Sequence, residues 1–105
     1  MLIQINTDKN IEGTTEMISH FTTLIQDQLQ RFDEHITRIV VFLSDENASR
    51  EAGNDKKCIL EARPKGKDPI VVTTVTDTIH QSVKIASEKM FLTLEKSLEK
   101  RRVQG

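Results

Sequence analysis

The stretch from Thr14 to Phe32 sets apolar residues at helical spacing between two β-branched runs, and this opening limits the fold more than any other feature. Met17, Phe21, Leu24, Leu29 and Phe32 recur three to five residues apart, and Ile18 and Ile25 widen the stripe. Gly13-Thr14-Thr15-Glu16 supplies a break, an N-cap and an acid for the first turn, so a helix is expected over 14–32. Before it, Leu2, Ile3 and Ile5 mark a strand over 2–6 that stops at Asn6-Thr7-Asp8. After it, residues 36–43 are dense in Ile and Val. Their apolar side chains occupy both parities, which suits a central strand covered on part of both faces. Strand, helix and strand in that order favour a right-handed crossover, with the two strands parallel.

The remainder reads as a hairpin and a second helix. Residues 44–57 hold almost nothing apolar and form a long connection. Lys57 to Arg63 alternates, with Cys58, Leu60 and Ala62 on one face. The turn cluster Pro64-Lys65-Gly66-Lys67-Asp68-Pro69 leads into a strand over 70–76. Asp77 or Thr78 can cap a final helix, whose buried stripe is Ile79, Val83, Ala86, Met90, Leu94 and Ser97. The expected fold is α+β, ordered β-α-β-β-β-α: a four-stranded mixed sheet with two helices on one face.

With 105 residues the chain matches one domain, expected to span 1–105. It has no Trp and no Tyr, so the core must be built from aliphatic side chains with four Phe. The N-terminus lacks the basic start of a signal peptide, and no run approaches the ~20 apolar residues that cross a bilayer. Cys58 has no cysteine to pair with, which fits a reducing compartment and hence the cytoplasm.

Signals for catalysis are weak. His20, His35 and His80 have no His or Cys neighbour at metal-ligand spacing, and Cys58 points inward with Leu60. The four glycines form no phosphate loop, and Asp45-Glu46 falls in a solvated connection. The expectation is a binding protein, not an enzyme, with no cofactor, metal or small-molecule substrate and no membrane partner.

Charge is uneven along the chain. Residues 1–35 carry two bases against six acids, whereas residues 77–105 carry six against four. At 100° per residue Lys89, Lys96 and Lys100 share one narrow flank of the last helix, beside its buried stripe. Glu88, Glu95 and Glu99 gather on its outward face. A basic ridge of this kind can contact phosphates; a solvated face of mixed charge accounts for it equally well.

Taken together, four passages resemble one family: IQINTDKNIEGTTEMISHF, QRFDEHITRIVVFLSDEN, IVVTTVTDTIHQSV and EKMFLTLEKSLEK. The chain is similar, over about residues 2–100, to the bacterial ribosome hibernation-promoting factors and ribosome-associated translation inhibitors. The likeness is greatest to a short subgroup with an SDEN-type loop followed by a Lys-Cys strand, here Lys57-Cys58. That resemblance implies a β-α-β-β-β-α fold, like a double-stranded-RNA-binding fold with an added strand. It implies no enzymatic activity. It also implies binding to the small ribosomal subunit, in the channel of messenger and transfer RNA, which blocks translation in stress or stationary phase. The family's acid-Lys-hydrophobe pattern matches Glu88-Lys89-Met90, and further helix bases match Lys96 and Lys100. The family's first helix usually offers several bases, where this one has only Arg31. Thr78-Ile79-His80 stands where many members have an acid, a hydrophobe and Tyr.

Two functions follow. The first is a ribosome-associated inhibitor whose Lys89, Lys96 and Lys100 touch ribosomal RNA phosphates. Lys84 is grouped with them, and Arg101 and Arg102 serve as a basic tail. Arg63, Lys65 and Lys67, with Arg38, Lys56 and Lys57, offer a further route on the sheet side. The second is a protein–protein regulator or self-associating homodimer that has lost RNA affinity, motivated by the near-neutral charge of −1 and the acidic first helix.

Overall fold

Two threonines start the two long helices. In the computed structural model, which describes residues 1–46 and 55–104 with side chains described up to Leu98 in the last helix, Thr14 Oγ1 accepts the backbone N–H of Met17 at 3.1 Å. Thr78 Oγ1 accepts that of Gln81, also at 3.1 Å. Each hydroxyl thereby satisfies one of the N–H groups that a helix start leaves without an intrahelical partner. The elements they cap are α1 (Thr15–Leu29) and α2 (Ile79–Gln104). Among these described residues the strands are β1 (Leu2–Thr7), β2 (Ile36–Asp45), β3 (Lys56–Pro64) and β4 (Ile70–Thr76).

The sheet order is β1-β2-β3-β4. β1 runs parallel to β2, with Ile3 opposite Ile39 and Ile5 opposite Val41. β3 is antiparallel to both of its neighbours. The α+β class and the β-α-β-β-β-α order are therefore as expected. Alternation sends Ile39, Val41, Leu43, Cys58, Leu60 and Ala62 to one face, all at most 1% exposed. Phe21, Ile25 and Leu29 of α1 and Val83, Ala86, Met90 and Leu94 of α2 close over that same face. In a core almost without aromatics, branched aliphatic side chains fill the space between sheet and helices.

Three details depart from the expectations. The first helix ends at Leu29, and Gln30–His35 winds as a 3-10 segment. That tighter winding eclipses residues three apart, which sets Phe32 in line with Leu29 so that both are buried. Secondly, the expected partial cover on the second face of β2 is confined to its middle. Val40 is buried between Gln4 and Glu61 of the adjacent strands, but Phe42 is 49% exposed. Phe42 on that side reflects the β preference of aromatic side chains, not burial. Thirdly, β2 reaches Asp45 and β3 begins at Lys56, which shortens the expected connection; residues 47–54 of it lie outside the described residues. The β3–β4 turn holds Gly66 at φ +71°, a conformation glycine adopts without a Cβ penalty.

Candidate nucleic-acid interface

α2 buries Val83, Ala86, Met90 and Leu94 and thereby fixes where its lysines point. Lys89 and Lys96 are both exposed and fall within about 20° of each other around the helix. Their flank faces away from α1. The opposite flank meets α1 and the 3-10 segment through His80 on His20, Phe91 on Phe32 and Glu95 on Arg31. Lys84 is exposed as well, but its angular position puts it on that α1-side flank, so it does not join the ridge. Lys100, Arg101 and Arg102 belong to α2 by backbone, and their side chains lie outside the described residues.

The β3–β4 turn docks beside the Lys89–Lys96 flank. Lys67 Nζ donates to the carbonyl oxygen of Ser97 at 3.0 Å and to its Oγ at 2.9 Å. Gly66, Lys67, Asp68, Ile70 and Ser97 line an open cleft of about 600 Å³ there. Lys67 thus ties turn to helix, while Lys65 in the same turn is exposed.

The remaining sheet-side bases are mostly engaged by acids. Arg63 Nε sits 3.1 Å from Glu61 Oε1, and Lys57 Nζ 3.1 Å from Glu46 Oε1. Lys56 Nζ lies 2.7 Å from Asp55 and 3.5 Å from Asp45. Its hydrogen bond to Asp55 is the chief reason the Lys56 ammonium is held above its ordinary value, with the charges of Asp45 and Asp55 adding to it. Arg38 is half-buried on the open face, opposite Leu2 and Arg63.

Among the described residues, Lys9, Arg38, Lys65, Lys67, Lys84, Lys89 and Lys96 make no ion pair, and of these only Lys89 and Lys96 share a helix flank. Free cations matter here because phosphate neutralisation dominates nucleic-acid affinity, and a base already held by a carboxylate must give up that partner first. The one base between residues 15 and 35, Arg31, is in that position: its Nη1 is 2.9 Å from Glu95 Oε2.

Two of these pairings lie beyond sequence reading. Arg31 and Glu95, like His20 and His80, are some sixty residues apart, and only the packing of α1 on α2 joins them. Cys58, by contrast, is buried as its alternation suggests. Burial pushes its thiol from 9.0 up to about 12, far from the thiolate that a nucleophile requires. Among the described residues, no three His, Cys, Asp or Glu side chains are placed to hold a metal ion, and no helix is long and apolar enough to cross a membrane.

The fold is similar to that of a ribosomal subunit interface protein from Coxiella burnetii. The TM-score is 0.70 at 16% identity, over 94% of this chain and 99% of that one. It is also similar to the N-terminal domain of Protein Y from Thermus thermophilus, with a TM-score of 0.67 at 16% identity, over 91% and 98% of the two chains. At such identity the likeness speaks for the fold. No curated protein matches the chain. The description "Sigma 54 modulation protein / S30EA ribosomal protein" fits residues 3–102, nearly the whole length, and the chain belongs to that family, the one that includes the ribosome hibernation factors its sequence resembles.

Proposed function

We propose that residues 1–105 act in the cytoplasm as one ribosome-binding domain that occupies the small subunit and inhibits translation under stress or in stationary phase. It works by steric and electrostatic contact with ribosomal RNA, without catalysis. Family membership supports the ribosome as partner, and the names of the two structural neighbours, an interface protein and a Protein Y domain, agree with it. The observation that carries the site is the unpaired, exposed Lys89–Lys96 flank of α2. Lys100, Arg101 and Arg102 extend the basic sequence beyond it, and Lys65 lies in the turn docked against the same helix.

Pelleting with purified small subunits through sucrose at two salt concentrations tests this reading. Co-sedimentation that weakens steeply with salt is expected. Replacing Lys89, Lys96 and Lys100 by Glu should abolish it while the circular dichroism spectrum stays native. Unchanged pelleting of that variant would eliminate the site; no pelleting of the natural chain at low salt would eliminate the function.

Self-association is a second reading with its own observation. The open sheet face exposes Phe42, Val71 and Val75, an apolar surface suited to a second copy of the chain. Light scattering that reports a monomer across the accessible concentration range would remove it.

A further inference from the structure

His20 on α1 and His80 in the first turn of α2 meet across the helix–helix contact, with His20 Nε2 3.3 Å from His80 Nδ1. Their rings stack at 5.4 Å between centroids and 26° between planes. The buried Phe21 ring backs both, 5.1 Å from His20 and 6.1 Å from His80. Neither imidazole is buried, so water reaches the pair.

The separation has a chemical meaning. In a tetrahedral zinc site with Zn–N bonds of about 2.0–2.1 Å, two nitrogens bound to the same ion stand roughly 3.3–3.4 Å apart, the edge of the tetrahedron. The His20–His80 spacing already equals that edge. As a hydrogen bond it is long for a nitrogen donor, so little is lost when an ion takes the place of the shared proton.

We propose that His20 and His80 form a two-imidazole site for a divalent transition-metal ion such as Zn2+, Ni2+ or Cu2+, which clamps α1 to the start of α2. His20 binds through Nε2 and carries its proton on Nδ1; His80 binds through Nδ1 and carries its proton on Nε2. Water fills the remaining positions. Imidazole nitrogens favour these ions over Mg2+ and Ca2+, which take oxygen ligands. One turn away along the helices stand Glu16 and Lys84, of opposite sign. The positive end of the α2 dipole holds the affinity down.

Titration of the full chain with ZnCl2 tests the site, read by thermal unfolding and by the histidine ring signals in the NMR spectrum. Zinc should raise Tm by about 5 °C when the site is saturated, because the folded state holds the two imidazoles together and so binds the metal more tightly than the unfolded chain. MgCl2 should leave it unchanged. The ring signals of His20 and His80 should move together at one midpoint, while those of His35 stay in place. His20→Ala and His80→Ala should each abolish the Tm rise, and His35→Ala should retain it. Failure of the two ring signals to move, movement at separate midpoints, or a Tm rise that survives in His20→Ala would each overturn the proposal.

Discussion

Arg31 Nη1 and Glu95 Oε2 stand 2.9 Å apart, so the one base of the first helical region is held by an acid of α2. The guanidinium also lies over the rings of Phe32 and Phe91, at 5.6 and 5.9 Å from their centroids. The pair is 58% and 36% exposed, so its contribution to stability is expected to be under about 1 kcal/mol. Its effect on binding should be larger. Glu95→Gln removes a negative charge and releases Arg31, which should tighten small-subunit binding and steepen its salt dependence. Sedimentation across a salt series measures both; a variant that binds no more tightly would show that this side of α2 stays off the RNA.

The lysines of α2 should not be equivalent. Lys89 and Lys96 share a flank, and Lys84 lies on the other. Each phosphate contact contributes about 0.7–0.9 to the slope of log affinity against log salt. Lys89→Ala with Lys96→Ala should therefore lower that slope by about 1.5, whereas Lys84→Ala should change it little. The same salt series, run on the three proteins, separates them. An equal loss from Lys84→Ala would widen the interface around the helix.

Cys58 gives the fold a defined weakness at high pH. Its thiol rises from 9.0 to about 12 because burial penalises the thiolate. Between those values the unfolded chain ionises and the folded chain does not, so the folded state binds more protons and stability falls as pH rises. The loss should approach about 1.4 kcal/mol per pH unit within that window. Below pH 8 the effect should vanish. The chain has no Tyr to titrate nearby, but Lys56 is also raised and adds to the slope in the same direction. Urea midpoints at pH 8 and pH 10 for the natural chain and Cys58→Ala isolate the thiol: the pH-dependent loss should be smaller in the variant.

What the sequence revealed and what it hid divide along a physical line. The stripe from Phe21 to Leu29 and the alternation of Cys58, Leu60 and Ala62 are local patterns, and both faces came out buried as the spacing implies. A cap within Gly13–Glu16 was readable because capping needs only neighbouring residues, and Thr14 fills it. Phe42 misled because a strand under an open face keeps its β-branched and aromatic preferences without being covered. On the candidate site, the Lys89–Lys96 flank was legible from 100° geometry. The engagement of Arg31, Arg63 and Lys67 by Glu95, Glu61 and Ser97 was not. The first and last of those contacts depend on how elements pack, and the Arg63 contact on rotamers that spacing leaves open. The His20–His80 approach is of the same kind.

Ser82 is the residue whose loss should cost most for its size. It is fully buried in the first turn of α2, and its Oγ donates to the carbonyl oxygen of Lys56 at 2.6 Å and lies 2.7 Å from Thr76 Oγ1. Its own carbonyl oxygen accepts from Thr74 Oγ1 at 2.6 Å. One hydroxyl therefore joins the helix start to β3 and to β4. Ser82→Ala keeps the bond from Thr74 to its carbonyl oxygen, and Thr76 Oγ1 keeps its own bond to the Thr78 carbonyl oxygen at 2.8 Å, but the Lys56 carbonyl oxygen loses its Ser82 donor, which should destabilise by about 1–3 kcal/mol. For a domain of this size that corresponds to a Tm lower by roughly 4–8 °C per kcal/mol. Thr93→Ala is the control: its Oγ1 bonds only the Lys89 carbonyl of its own helix, at an exposed position, and should change Tm by no more than a degree or two. Equal Tm values for the two variants would mean that solvent replaces the Ser82 bonds, and that the start of α2 is less firmly docked than its contacts imply.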